Sequence, residues 1–216
     1  MNVLDQLGAT HSALVAQGYD VRPLVIGPVA SAAEIAQLET TLAVALPEAF
    51  RDALTTISGH VEFRWFAPAG KDFPPPFHQS FCGELHWSIE FTETFELARR
   101  NWVTEVFSNP ADAYDAVWHN KLAFYEVGNG DFLAFDLDEA NMGRVVYLSH
   151  DDGQGHGYIL ANDFTELLTT WVPLACAGGE DWQWLPFVTG PTSGLQPDGE
   201  AATSWRNVLG ISSVSE

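Results

Sequence analysis

Side chains able to do chemistry gather in a few short stretches of this chain. The densest is Ser149–Gly157, SHDDGQGHG, which places His150, Asp151, Asp152 and His156 among three glycines. Carboxylates and imidazoles so close together could hold a cation, and the glycines would let the backbone curve around a ligand. The spacing lacks the full calcium-loop pattern and its terminal bidentate Glu, and no Lys-Ser/Thr pair of a phosphate-binding loop follows. It reads as a solvated connection that offers Asp151, Asp152 and His156 to a partner, with a small metal-dependent enzyme built on these residues as the rival.

A second group is His78, Cys82, Glu84 and His86. On a strand, Cys82, Glu84 and His86 share one face but lie too far apart to meet one zinc without a bend. Packing beside Pro74–Pro76 is the simpler account. Neither G-x-S-x-G nor H-E-x-x-H occurs, so no nucleophile elbow or zincin helix is available. The expectation is a protein with no catalytic residue, no metal and no cofactor.

The remaining candidates are recognition residues. Asp131, Asp136, Asp138 and Glu139 bracket or follow the apolar run Phe132–Phe135, at the ends or on one face of a hairpin. Asp181, Trp182 and Trp184 lie in a less constrained stretch, where aromatics could anchor an interface with an acidic rim.

Charge narrows the partners. Nine Lys plus Arg stand against 29 Asp plus Glu, a formal net charge of -20. Solubility or a saline habitat is one reading of this acidity; selection for a basic partner is the other. The same field repels nucleic acid and anionic membranes and attracts basic proteins. Cys82 and Cys176 sit among apolar or aromatic neighbours without metal-site spacing, as reduced thiols of a cytoplasmic protein would. The opening MNVLDQLGATHSALVAQG lacks the basic and continuous apolar regions of a secretory leader, and no apolar run is long enough to span a bilayer.

The elements that must position these residues follow from periodicity. Helical spacing runs through residues 3–17 up to Gly18, then through Ile35, Leu38 and Leu42 behind a Ser31/Glu34 capping box, then through Phe50, Leu54 and Ile57 after Pro47. VEFRWF alternates like a strand, and residues 67–78 form a Pro-rich surface insertion. Phe91, Phe95, Ala98, Trp102 and Val106 make one helical stripe that stops before Asn109-Pro110, leaving Glu93, Glu96, Arg99 and Arg100 to face elsewhere. KLAFYEVG, the turn Asn129-Gly130, DFLAFDLD and GRVVYLSH predict a meander of at least three strands over 121–149. Phe164, Leu167, Leu168 and Trp171 return to helical spacing behind Asn162 or Asp163, and the last forty residues should wrap the surface with a short helix near Ala201–Leu209.

Leu46-Pro47 before a helix, Asn129-Gly130-Asp131 before FLAFDL, and VVYL followed by a helix ending at Trp171 occur here in an order that resembles the SUKH superfamily. That superfamily includes a fungal cell-wall synthesis regulator and many bacterial immunity proteins. The resemblance covers about Ile35 to Trp171. It implies an α+β domain, mainly an antiparallel or mixed sheet with a central meander and helices around it, spanning 1–216 with an irregular extension at 176–216. It also implies a binding module without turnover. The expected partner is a protein, such as a basic nuclease toxin domain neutralised by an immunity protein; the alternative is a regulatory scaffold for an endogenous protein.

Overall fold

The computed structural model describes residues 2–211. Helix α1 (Val3–Ala16) opens the chain, and two short strands, β1 (Asp20–Val21) and β2 (Val25–Ile26), occupy the stretch interrupted by Pro23. Helix α2 (Ala32–Leu42) begins at the expected capping box: the Ser31 hydroxyl accepts from the Glu34 amide at 3.2 Å, and the Glu34 carboxylate accepts from the Ser31 amide at 2.8 Å. Helix α3 (Glu48–Asp52) starts after Pro47 and widens into a π-helical turn over Ala53–Ile57.

Two antiparallel sheets follow. In the first, β3 (His60–Phe66) pairs with β4 (Cys82–Ser88) along its whole length, while β1 and β2 share its other edge. Helix α4 (Ile89–Glu105) and helix α5 (Ala113–Trp118) lead to the second sheet, ordered β5 (Lys121–Glu126), β6 (Phe132–Asp136), β7 (Val145–Leu148) and β8 (Ile159–Ala161). The meander therefore has the three expected strands and a short fourth. Helix α6 (Phe164–Trp171) starts behind Asp163, whose carboxylate accepts from the Glu166 amide at 2.8 Å. Helices α7 (Asp181–Trp184) and α8 (Glu200–Leu209) complete the α+β architecture.

Every residue of β6 is buried, because apolar layers lie on both faces of the second sheet. Leu133 and Phe135 face the main core, where Phe50, Phe124 and Phe164 cluster; Phe132 and Ala134 face a second core containing Phe95, Phe107 and Trp118. No solvent-facing side remains for carboxylates on β6, so acidic groups of this hairpin can reach water only at the strand ends.

Helix α4 is less amphipathic than its stripe predicts. Glu96 and Arg99 are 1 % and 6 % exposed rather than solvent-facing. The Glu96 carboxylate accepts from Arg99 at 2.8 Å through both oxygens, from Arg100 at 2.7 Å, and from the Ala123 amide on the outer edge of β5 at 2.9 Å. Arg100 also donates to the Leu42 carbonyl at 2.7 Å, and Arg99 to the Trp118 carbonyl. One carboxylate and two guanidiniums thus satisfy backbone groups of α2, α5 and β5, which an apolar contact could not do.

The C-terminal stretch does not merely wrap the surface. Residues 174–177 are fully buried, and three indoles, two of them from distant elements, satisfy their irregular backbone. Trp65 donates to Ala175, Trp205 to Leu174 and Trp171 to Ala177, at 2.8, 2.8 and 2.6 Å. Phe73 and Phe77 of the Pro-rich segment are buried against Trp205, while Pro74–Pro76 remain exposed.

Candidate functional site

Antiparallel order decides which loops can meet. The β5–β6 turn and the β7–β8 loop emerge at one end of the second sheet, whereas the β6–β7 connection, residues 137–144, emerges at the other. The candidate carboxylates therefore form two groups.

At the first end Asp131 is the keystone. It is 1 % exposed. One of its oxygens accepts from the His150 amide at 2.8 Å and from His150 Nδ1 at 2.6 Å; the other accepts from Asn129 at 2.8 Å and from the Tyr147 hydroxyl. Tyr147 in turn accepts from the Asp181 amide at 3.2 Å, and Asp181 accepts from the Gly155 amide at 2.9 Å. Burial and the adjacent Asp131 carboxylate push the Tyr147 phenol far above its ordinary range. The turn, the loop and α7 are joined by this chain of bonds.

Asp131, His150 and Asp151 bring potential ligand atoms within 4.8 Å of one another. Yet a carboxylate has about four acceptor positions, and the four donors around Asp131 already use them. The trio builds the loop; a cation there would have to break it. His156 is committed in the same way. Its Nδ1 accepts from the Ser149 amide at 3.0 Å, so its Nε2 carries the proton shared with the Tyr114 carbonyl at 3.1 Å. Burial lowers its pKa, and its ring stacks on Tyr114 at 3.7 Å. Both nitrogens are spent on the fold, leaving no free site for proton transfer.

Four of the ten residues picked from sequence as recognition groups are interior. Asp131, Asp136, Asp181 and Trp184 are 1 %, 7 %, 5 % and 1 % exposed, which corrects their assignment to an outer surface. Asp136 pairs with buried Lys121 at 3.2 Å, and Trp184 packs edge-on to Tyr147 with ring centres 5.1 Å apart. His156 and Trp182 are half-buried. Asp151 and Asp152 are exposed at the first end; Asp138 and Glu139 are exposed at the other, where Asp138 accepts from Asn120 at 2.6 Å.

The first end adjoins a cleft of about 850 Å³ that sequence reasoning did not locate. Its floor is the outer face of the first sheet, where Glu62 lies directly across from His86 and Arg64 across from Glu84. Phe91 and Phe95 of α4 form one wall, and Glu126 with the turn Val127–Gly130 forms another. Arg64 is ion-paired with Glu84, Arg22 lies 3.9 Å from Asp20, and Glu62 meets His60 at 2.8 Å. Glu126 has no ion-pair partner among the described residues. His86 stacks on Tyr125 at 4.0 Å, and burial, reinforced by Arg64 and His60, drives its pKa down to about 3. Neither ring nitrogen has a hydrogen-bond partner among the described residues. The group Cys82, Glu84 and His86 does share one face of β4, but its members turn to separate neighbours: Gln183, Arg64 and Tyr125.

The SMI1/KNR4 family (SUKH-1) profile matches residues 29–170, from the approach to α2 through α6. The chain belongs to this family. The matched span contains Asp131 with its partners Asn129, Tyr147 and His150, though not Asp181 and α7, and every cleft residue except Arg22 and Pro23. No curated protein matches the chain closely enough to serve as a relative. Membership in SUKH-1 is compatible with an immunity or a regulatory protein, and it points to protein–protein interaction without naming a partner. Among the described residues no helix is long and apolar enough to cross a membrane.

Proposed function

We propose that this SUKH-1 protein is a cytoplasmic immunity protein, which binds a basic toxin domain, such as a nuclease, and neutralises it without turnover. The observation that carries the reading is the contrast at the first end of the second sheet. Asp131 and His156 there are saturated by internal bonds and His150 Nδ1 is tied to Asp131, while Glu126, Asp151 and Asp152 stand exposed around them. An acidic surface beside a cleft is suited to recognition of a basic partner.

The net charge of -20 steers a basic domain toward this surface and keeps nucleic acid and anionic membranes away. Once docked, the protein occludes the surface through which the toxin reaches its substrate. The test is binding to the basic product of a neighbouring gene, measured at low and high salt, with rescue of cells expressing that product. Tight one-to-one binding whose on-rate falls with salt, and falls again in D151K/D152K, is the expected result. Neither binding nor rescue would defeat the reading.

A further inference from the structure

The cleft carries a more specific assignment, which rests on the reading of a basic protein partner. Although Arg22 and Arg64 line it, each already has an acidic neighbour, Asp20 at 3.9 Å and the buried Glu84. Among the described residues Glu126, on the turn side, has no ion-pair partner, and Glu62, on the floor, meets only the half-buried His60. The same cleft is lined by the rings of Phe91 and Phe95 and by His86, which sits directly opposite Glu62 in the β3–β4 register. We propose that the cleft receives one arginine side chain of the partner, its guanidinium held by Glu62 and Glu126 over the Phe91 and His86 rings.

Each part of the lining answers a part of that side chain. A planar, weakly hydrated guanidinium lies on aromatic faces and donates in several directions at once, where the compact ammonium of lysine does neither as well. A neutral imidazole offers one acceptor nitrogen, and the unpartnered ring of His86 supplies it. The aliphatic stem of arginine covers the apolar wall. A cavity of about 850 Å³ also leaves room for the backbone that presents the side chain. Because the turn Val127–Gly130 forms a wall of the cleft and runs directly into Asp131, an anchor seated here would leave the partner's flanking surface against Asp151 and Asp152.

The probe is the blocked peptide acetyl-Gly-Arg-Gly-amide, compared with its citrulline analogue, which has the same length and no charge. Binding is followed by NMR through the imidazole carbon–proton signals of His86 in the full chain. The expected result is saturable movement of those signals with a Kd on the order of 1 mM for so small a ligand. The arginine peptide should bind at least about fivefold more tightly than citrulline, and E62Q/E126Q should abolish the difference. Equal affinities, unmoved His86 signals, or an arginine preference that survives E62Q/E126Q would overturn the assignment. If the peptide fails while a basic domain is still captured, only the cleft assignment falls. If the peptide seats as expected while no basic domain is bound, the anchor stands and the immunity reading fails.

Discussion

Replacing His86 by Phe should make folding stability less sensitive to acid. The imidazole stacks on Tyr125 beneath the cleft, and its pKa is driven from the ordinary value near 6.5 to about 3. A base whose folded pKa is depressed binds its proton more readily in the unfolded chain. Its favourable contribution is therefore complete above the unfolded pKa and is lost as pH falls from about 6.5 toward about 3. At about pH 5 the unfolded imidazole is mostly charged and the folded one neutral, so proton binding costs the native state about 2 kcal/mol relative to about pH 7.5. His86→Phe keeps an aromatic ring against Tyr125 and removes the titration. Urea unfolding of both proteins at the two pH values measures the difference, and other titrating groups, His156 included, cancel between them. The wild type should lose about 2 kcal/mol more than the variant on acidification. Losses equal within about 0.5 kcal/mol, or a His86 resonance titrating near the ordinary value, would refute the reasoning.

Asp131→Asn puts an amide into a position surrounded by four donors and should cost about 3–5 kcal/mol in denaturant unfolding, with exchange protection lost first in residues 149–157. A change below about 1 kcal/mol would mean that the network is not what holds the loop. Glu96→Ala should cost about 3–5 kcal/mol by stranding Arg99 and the Ala123 amide, against about 0.5 kcal/mol or less for the more exposed Glu93→Ala; equal effects in calorimetry would contradict the burial argument. Gly155→Ala should cost about 1–3 kcal/mol, since a Cβ there would stand 2.5 Å from the Trp184 ring; unchanged thermal unfolding would show that α7 yields freely.

Much of the fold was legible because it is local. The Ser31/Glu34 box, Pro47 and the Asn129-Gly130 turn each work within a few residues, and the alternating runs around that turn can pair only as a meander. Periodicity places Glu96 and Arg99 off the apolar stripe of α4 but does not say what they meet there. Their burial depends on backbone groups 19 and 27 residues away, Trp118 and Ala123. The candidate site was half legible for the same reason. Asp151 and Asp152 are exposed as expected, but Asp131, Asp181 and Trp184 belong to a buried chain of bonds whose links cross from turn to loop to α7. The cleft left little trace, since β3 and β4 pair across a Pro-rich excursion that hides the register opposing Glu62 to His86.

By itself, then, the amino-acid order determined the longer elements, the acidic field and the family pattern, all of which arise from composition or from neighbours along the chain. Which carboxylates meet water was decided only in three dimensions. A side chain is exposed or paired according to what distant backbone delivers to it, and the same Asp can line an interface or lock a loop.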